Sequence, residues 1–299
     1  MAEASVYSGR VVDGGLQTAV QEYRHPNGRS ILMVGCVHVA ESDYYTQLRK
    51  IVDEAEASGA TVLMEGARFK DTSAEDASQD EIAPMQASRA GLRTQYEYLP
   101  ALLDLPWVYQ ERSALAPYPE TWQRSDAREL DMIRLIGPQN AVSLAPSAGM
   151  YEWFRKLKES KGAHALPYRI ARGKWVNSFV HPFKQRNRTT GSLSRAILRA
   201  RRTVHRTIRA ITRKPAPAGL DWMRPYIYIH RECIAALRAL DTKGDVVMLW
   251  HPSHVPGIGN ILIRNGFKPQ EPRQWLTACH KTDLIPNKSN TPSTPQPTP

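Results

Sequence analysis

Ile31-Leu32-Met33-Val34 is a continuous apolar run of strand length with no polar alternation, the pattern of a strand covered on both faces. Residues 19–24 precede it across His25-Pro26-Asn27-Gly28, where Asn-Gly supplies the positive φ of a tight hairpin turn. After the run, Ser42 or Asp43 is placed to cap a helix. Its Tyr45, Leu48, Val52 and Ala55 share one face, and Gly59 closes it. Thr61–Met64 reads as a second buried strand, ending at Glu65. Strand, helix and strand in this order predict a βαβ unit, a parallel pair with a right-handed crossover.

The C-terminal third repeats the theme. A helix over residues 226–240 precedes a second apolar run, Val246-Val247-Met248-Leu249, which leads into His251-Pro252-Ser253-His254. A short helix through Ile261 and Leu262 then ends at Gly266, and residues 275–279 form a last strand. Between these halves, residues 84–105, 126–136 and 149–161 have helical periodicity, and residues 141–144 that of a strand. Strands alternating with helices predict one α/β domain over residues 1–283, with a mixed, largely parallel sheet flanked by helices. Residues 284–299 read as a disordered tail rich in Pro, Thr and Ser.

The formal charge of +11 is less informative than its position. Residues 160–220 hold fifteen Lys or Arg and no Asp or Glu, so the remaining 25 basic and 29 acidic residues make the body of the domain mildly acidic. Residues 160–220 read as a basic, partly helical insertion. Within it, residues 192–214 form an amphipathic stretch with Leu193, Ile197, Val204, Ile208 and Ile211 near one face and arginines over the rest. Its expected partner, beyond packing on the domain, is an anionic membrane surface. Nucleic acid fits less well, because no base-stacking aromatics interleave the arginines. Neither an apolar run of spanning length nor a basic-then-apolar leader is present, and the three cysteines show no C-x-x-C spacing. A cytoplasmic protein, at most peripheral to a membrane, is the expectation.

Candidate chemistry collects at strand ends. His38 follows the first buried run, Glu65 terminates the next strand, and His251 and His254 follow the last run. In open α/β sheets ligands bind beyond the carboxyl ends of the strands. One such histidine is ordinarily a hydrogen-bonded loop residue. Three, with a glutamate at matching positions of two similar units, form a ligand set for a divalent ion of the Zn, Mn or Co type. Cys36 reads as a small buried hydrophobe, and Ser253 has no Gly-x-Ser-x-Gly elbow around it. Asp126 and Asp131 read as a helix cap and a solvated face, and Trp222, Tyr226 and Tyr228 as core or pocket wall.

Gly35-x-x-His38, Glu65, and the late His254-Val255-Pro256-Gly257-Ile258 followed by Gly266-Phe267 resemble the TraB/PrgY/GumN family, grouped with the Tiki proteases and erythromycin-esterase-like proteins. Arg231 resembles the arginine usual before the last strand of that family, and Arg68 the one that often follows the glutamate. The likeness covers residues 29–70 and 225–268. One position departs from the pattern: His251 stands where the second motif begins with Gly.

The resemblance implies a Tiki/TraB-like fold and a metal-dependent hydrolase of a peptide or ester bond, or hydrolysis assisted by His and Glu without metal. In the metal-dependent form His38, His254, Glu65 and His251 are the ligands, Glu65 is a ligand or the general base, and Arg231 or Arg68 orients a carboxylate or stabilises an oxyanion. The alternatives are a non-catalytic module binding a peptide or small molecule in the same cleft, and a membrane-surface or nucleic-acid binder working through the basic helix.

Overall fold

The computed structural model describes residues 8–13, 15–66, 76–102, 104–137, 148–161 and 220–280. Arg68, the strand expected over residues 141–144, the basic stretch 192–214 and the tail lie outside the described residues.

Three strands lead the chain: β1 (Gly9–Val12), β2 (Gly15–Arg24) and β3 (Ser30–Gly35), with β2 and β3 the expected hairpin. The two-residue β4 (Val39–Ala40), α1 (Ser42–Ala57) and β5 (Thr61–Met64) follow, then α2 (Gln79–Arg93), a π-helical turn over Thr94–Tyr98 and the short α3 (Leu99–Leu102). Next come β6 (Val108–Tyr109), a 3-10 turn over Gln110–Arg112, β7 (Gln123–Arg124), α4 (Glu129–Ile136) and α5 (Ala148–Lys161). The last block is α6 (Leu220–Asp241), β8 (Val246–Trp250), α7 (Val255–Arg264), β9 (Lys268–Pro269) and β10 (Gln274–Cys279).

The fold is α/β, with a mixed, largely parallel central sheet flanked by helices. β3, β8, β5 and β7 are parallel neighbours in that order. β2 lies antiparallel to β3, and also carries β1, β9 and β10. This corrects the βαβ expectation in one respect. β3 and β5 are parallel but not adjacent, because β8 inserts between them, with Met248 in register with both Met33 and Leu63. A strand distant in sequence thereby delivers its end between two early ones.

The apolar runs are explained by two cores, one on each face. Val247 and Leu249 of β8 join Val34, Val62, Met64 and the Tyr45, Leu48 and Val52 stripe of α1. Val246, Met248 and Trp250 point the other way, against Ala235, Ala236 and Ala239 of α6 and Ile258 and Leu262 of α7. Every β8 side chain is buried, so alternation carries no polar signal there.

Helix starts differ from expectation. The residue preceding α1 is Glu41, with no side-chain cap bond, in place of Ser42 or Asp43. Its carboxylate instead bonds His280, at 2.6 Å to Nδ1. α2 begins five residues before Pro84, because Ser78 and Glu81 form a capping box with Ser78 N–H donating to Glu81 Oε2 at 2.8 Å. No helix among the described residues is long and apolar enough to cross a membrane.

Candidate functional site

Because β3, β8, β5 and β7 run parallel, their carboxyl ends emerge on one edge, and the residues after them line a cleft of about 370 Å³. β3 leads to His38, β5 to Glu65, β7 to Asp126, and β8 to His251 and His254. α6 adds Tyr228 and Arg231, and the turns after α2 and β6 add Tyr96 and Gln110.

The loop after β3 is tied from beneath by α1. Tyr44 donates its hydroxyl to the Gly35 carbonyl at 2.6 Å and accepts the Val37 N–H at 3.3 Å, while Tyr45 donates to the Val37 carbonyl at 2.9 Å. A Cβ on Gly35 would stand 3.2 Å from the Ala19 carbonyl oxygen and 3.3 Å from that of Ser8, so a side chain there would push β2 away.

Arg231 is the centre of charge. Its Nε donates to Asp126 Oδ1 at 2.8 Å, Nη2 donates to Glu65 Oε1 at 2.7 Å and to Asp126 Oδ2, and Nη1 faces His254 Nε2 at 3.3 Å. The second oxygen of Glu65 accepts the His251 backbone N–H. Burial opposes the charge on Glu65. The Arg231 guanidinium, with His254, His38 and His251 beyond it, outweighs burial and holds the carboxyl well below the usual carboxylate range. Arg231 is displaced the other way: despite burial, its two carboxylates raise its pKa further. Trp250 lies under the guanidinium, 5.7 Å from Cζ to the ring centroid, and its indole N–H donates to Ser125 Oγ at 2.9 Å.

The three imidazoles are held differently. His254 is almost wholly buried, with Nδ1 3.2 Å from Glu232 Oε1 and Tyr228 stacked on its ring at 4.5 Å between centroids. His38 Nδ1 lies 3.3 Å from Gln110 Oε1, an atom that only accepts, so Nδ1 carries a proton and, in the neutral ring, Nε2 has the lone pair. His251 has the opposite tautomer. Its Nδ1 accepts the Ser253 N–H at 3.3 Å and sits 2.8 Å from Ser253 Oγ, which leaves the proton on Nε2. The His38 and His251 rings stack at 5.1 Å. Burial, with the field of His38, pushes His251 down to about 3, so it is neutral at neutral pH. Tyr96 packs on the other side of His38 at 4.8 Å. Burial and the negative field of Glu65 raise its hydroxyl, which stays a neutral phenol.

The structure therefore brings His38, Glu65, Arg231, His251 and His254 to one cleft, while Arg68 is outside the described residues. Cys36 is buried, and burial raises its thiol far from any nucleophilic range. Ser253 lines the cleft within its local turn to His251. Asp131 is on a solvated face, paired with Arg128. Asp126 does not cap α4, which has Arg128 at its N-terminal boundary; it binds Arg231 in the site. The available signal was its place after a strand end, like that of Glu65, but β7 is only two residues long and leaves no apolar run to read. Glu232, Gln110 and Tyr96 also escaped the sequence reading, and Tyr228 is the pocket wall expected of it.

Among the described residues no group of three or more His, Cys, Asp or Glu is arranged to hold a metal ion. Both Glu65 oxygens are engaged, one by a cationic guanidinium, and His251 Nδ1 faces Ser253. An ion on Glu65 would have to displace Arg231, so the donor set as arranged does not fit a divalent metal. Comparison with models of protein families, with curated proteins and with solved structures finds no match to this chain.

Proposed function

We propose that the cleft hydrolyses an ester or peptide bond by acid–base chemistry of its own side chains, on a Tiki/TraB-like fold. The observation that carries this reading is the pair of stacked imidazoles in opposite tautomers. His38 Nε2 offers a lone pair and His251 Nε2 a proton, with ring centroids 5.1 Å apart. A base that takes a proton from water and a neutral donor that hydrogen-bonds the carbonyl oxygen or leaving group are the two parts hydrolysis needs.

The general base is placed on His38 rather than Glu65. A carboxylate clamped by Arg231 and held well below its usual range is a weak proton acceptor, whereas the His38 ring, with Nδ1 toward Gln110 Oε1, can present the lone pair of Nε2. Glu65, Asp126 and Arg231 form a fixed charged floor that orients His254 and the loop bearing His251. Four of the five guanidinium N–H bonds are directed at these neighbours, so Arg231 positions the site rather than receiving an oxyanion. The order of the sequence motifs, which resembles the TraB/PrgY/GumN pattern, supports the same class of reaction.

The test is a hydrolysis screen over peptide, ester and macrolide substrates with wild type and His38→Ala. Turnover should fall by about two to four orders of magnitude in the variant. The wild-type rate should rise with pH and level off once the base has lost its proton. Absence of turnover on every class, with saturable binding, would favour the non-catalytic module. A rate unchanged in His38→Ala would remove His38 from the mechanism.

A further inference from the structure

A carbonyl under attack by water needs fixed donors for the charge that builds on its oxygen. Most donors of the cleft are already committed. Arg231 serves Glu65 and Asp126, and Ser253 Oγ faces His251 Nδ1. Gln110 faces Nδ1 of His38, the ring nitrogen away from the lone pair.

Tyr96 lines the cleft beside these groups. It stands at the middle of the π-helical turn Thr94–Tyr98 between α2 and α3, a rare geometry that recurs at functional sites. Its neighbour Glu97 ties the turn down. Glu97 pairs with Arg93 at 2.7 Å and, at 3.1 Å, with Arg112 on the 3-10 turn that begins at Gln110. The Tyr96 ring is packed against His38 at 4.8 Å and Tyr109 at 5.9 Å between centroids, which restricts where its phenol can turn. The hydroxyl makes no hydrogen bond to a described residue and is not sealed from the cleft. Burial and the field of Glu65 keep it protonated, so it can donate.

We propose that Tyr96 is a second catalytic donor, whose hydroxyl hydrogen-bonds the substrate's carbonyl oxygen as water, deprotonated at His38, adds to the carbonyl carbon. The carbonyl electron pair moves onto that oxygen, and the proton stays on Tyr96 throughout. The part in turnover rests on the hydrolase reading above; the contact with a tetrahedral oxyanion rests on the cleft alone.

Tyr96→Phe removes one atom and keeps the ring against His38. With p-nitrophenyl acetate and the full chain, the variant should lose about 100- to 1,000-fold in kcat, the usual effect of deleting one such donor. KM should change less than about threefold, because the bond strengthens only in the transition state. The pH at which the rate levels off should stay that of wild type, since the base is untouched. An unchanged kcat would overturn the proposal. So would a displaced pH profile, which would make Tyr96 a support for His38 and nothing more.

A second arm needs no turnover. Calorimetry compares p-nitrophenyl methylphosphonate, a tetrahedral anion, with the planar 4-nitroacetanilide. Tyr96→Phe should bind the phosphonate at least about tenfold more weakly than wild type and the anilide equally well. No saturable phosphonate binding by wild type, no loss in the variant, or equal loss for both probes would overturn the proposal. Selective loss of phosphonate binding, with no ester cleaved by wild type, would count against the hydrolase reading and leave the Tyr96 contact standing. Turnover that falls in His38→Ala and not in Tyr96→Phe would do the reverse.

Discussion

Glu232 occupies the space that a side chain on Gly257 would need. A Cβ at Gly257 would stand 1.8 Å from Glu232 Oε2 and 2.3 Å from its carboxyl carbon. The glycine of Val255-Pro256-Gly257-Ile258 thus admits the carboxylate that reaches His254 Nδ1, and the motif makes sense as a seat for Glu232. Gly257→Ala must displace Glu232 and release the His254 ring. Both Gly257→Ala and Glu232→Gln should reduce turnover about ten- to hundredfold, the usual cost of a misplaced site group. The double variant should be no worse than either single one, because the two changes break one contact. Additive losses would show that Gly257 acts through something other than Glu232.

Removing the charge of Glu65 should cost stability in a pH-dependent way. Glu65→Ala leaves Arg231 with one buried carboxylate and should destabilise the fold by about 3–5 kcal/mol, as breaking a buried ion pair does. Glu65→Gln, which keeps an acceptor, should cost less. The folded-state pKa of Glu65 is depressed, so its contribution is fully present above the unfolded value near ~4.3 and is lost as pH falls through the folded one. Denaturant unfolding of wild type and Glu65→Gln should show a constant gap from about pH 5 to 8 that narrows below about pH 4. A gap independent of pH would mean that the ion pair is not what Glu65 contributes.

The parts of this site legible in the sequence were those attached to long apolar runs. β3 and β8 announce themselves because both faces are covered, so the histidines after them could be read as strand-end residues. Periodicity says nothing about which strands are neighbours, and the insertion of β8 between β3 and β5 is set by long-range pairing alone. Asp126 was hidden for a local reason: its strand is two residues at the sheet edge, below the length at which alternation can be seen. Glu232 follows Arg231 directly on α6, and no motif or period in the sequence singles it out. Its role appears only when α7 is laid against α6 and Gly257 comes opposite it.

The metal question has a direct measurement. With Arg231 on Glu65, protein purified without added metal should contain well under one equivalent of Zn, Mn or Co by elemental analysis. Its hydrolytic rate should survive exhaustive treatment with a chelator. One equivalent of bound ion, lost in His38→Ala, would instead support the metal-dependent form of the family resemblance. Arg231 would then have to swing away from Glu65 on metal binding.

The hydroxyl of Tyr44 should matter more to His38 than its distance from the cleft suggests. It is fully buried on α1, where burial raises its pKa, so it remains a neutral donor and acceptor. It donates to the Gly35 carbonyl at 2.6 Å, accepts the Val37 N–H at 3.3 Å and meets Thr18 Oγ1 at 2.9 Å. Tyr44→Phe keeps the ring in the core and leaves these buried backbone groups of the loop without their partner, a cost of about 1–3 kcal/mol. Leu48→Ala, on the same face of α1 but without a polar link to that loop, should cost about 2–5 kcal/mol by opening a cavity. If Tyr44 positions the loop, Tyr44→Phe should lower kcat about tenfold or more at temperatures where it is fully folded, since loosening the loop misaligns the base. Leu48→Ala, though the less stable protein, should turn over nearly as wild type under the same condition. A kcat that tracks stability across both variants would reduce Tyr44 to a core residue.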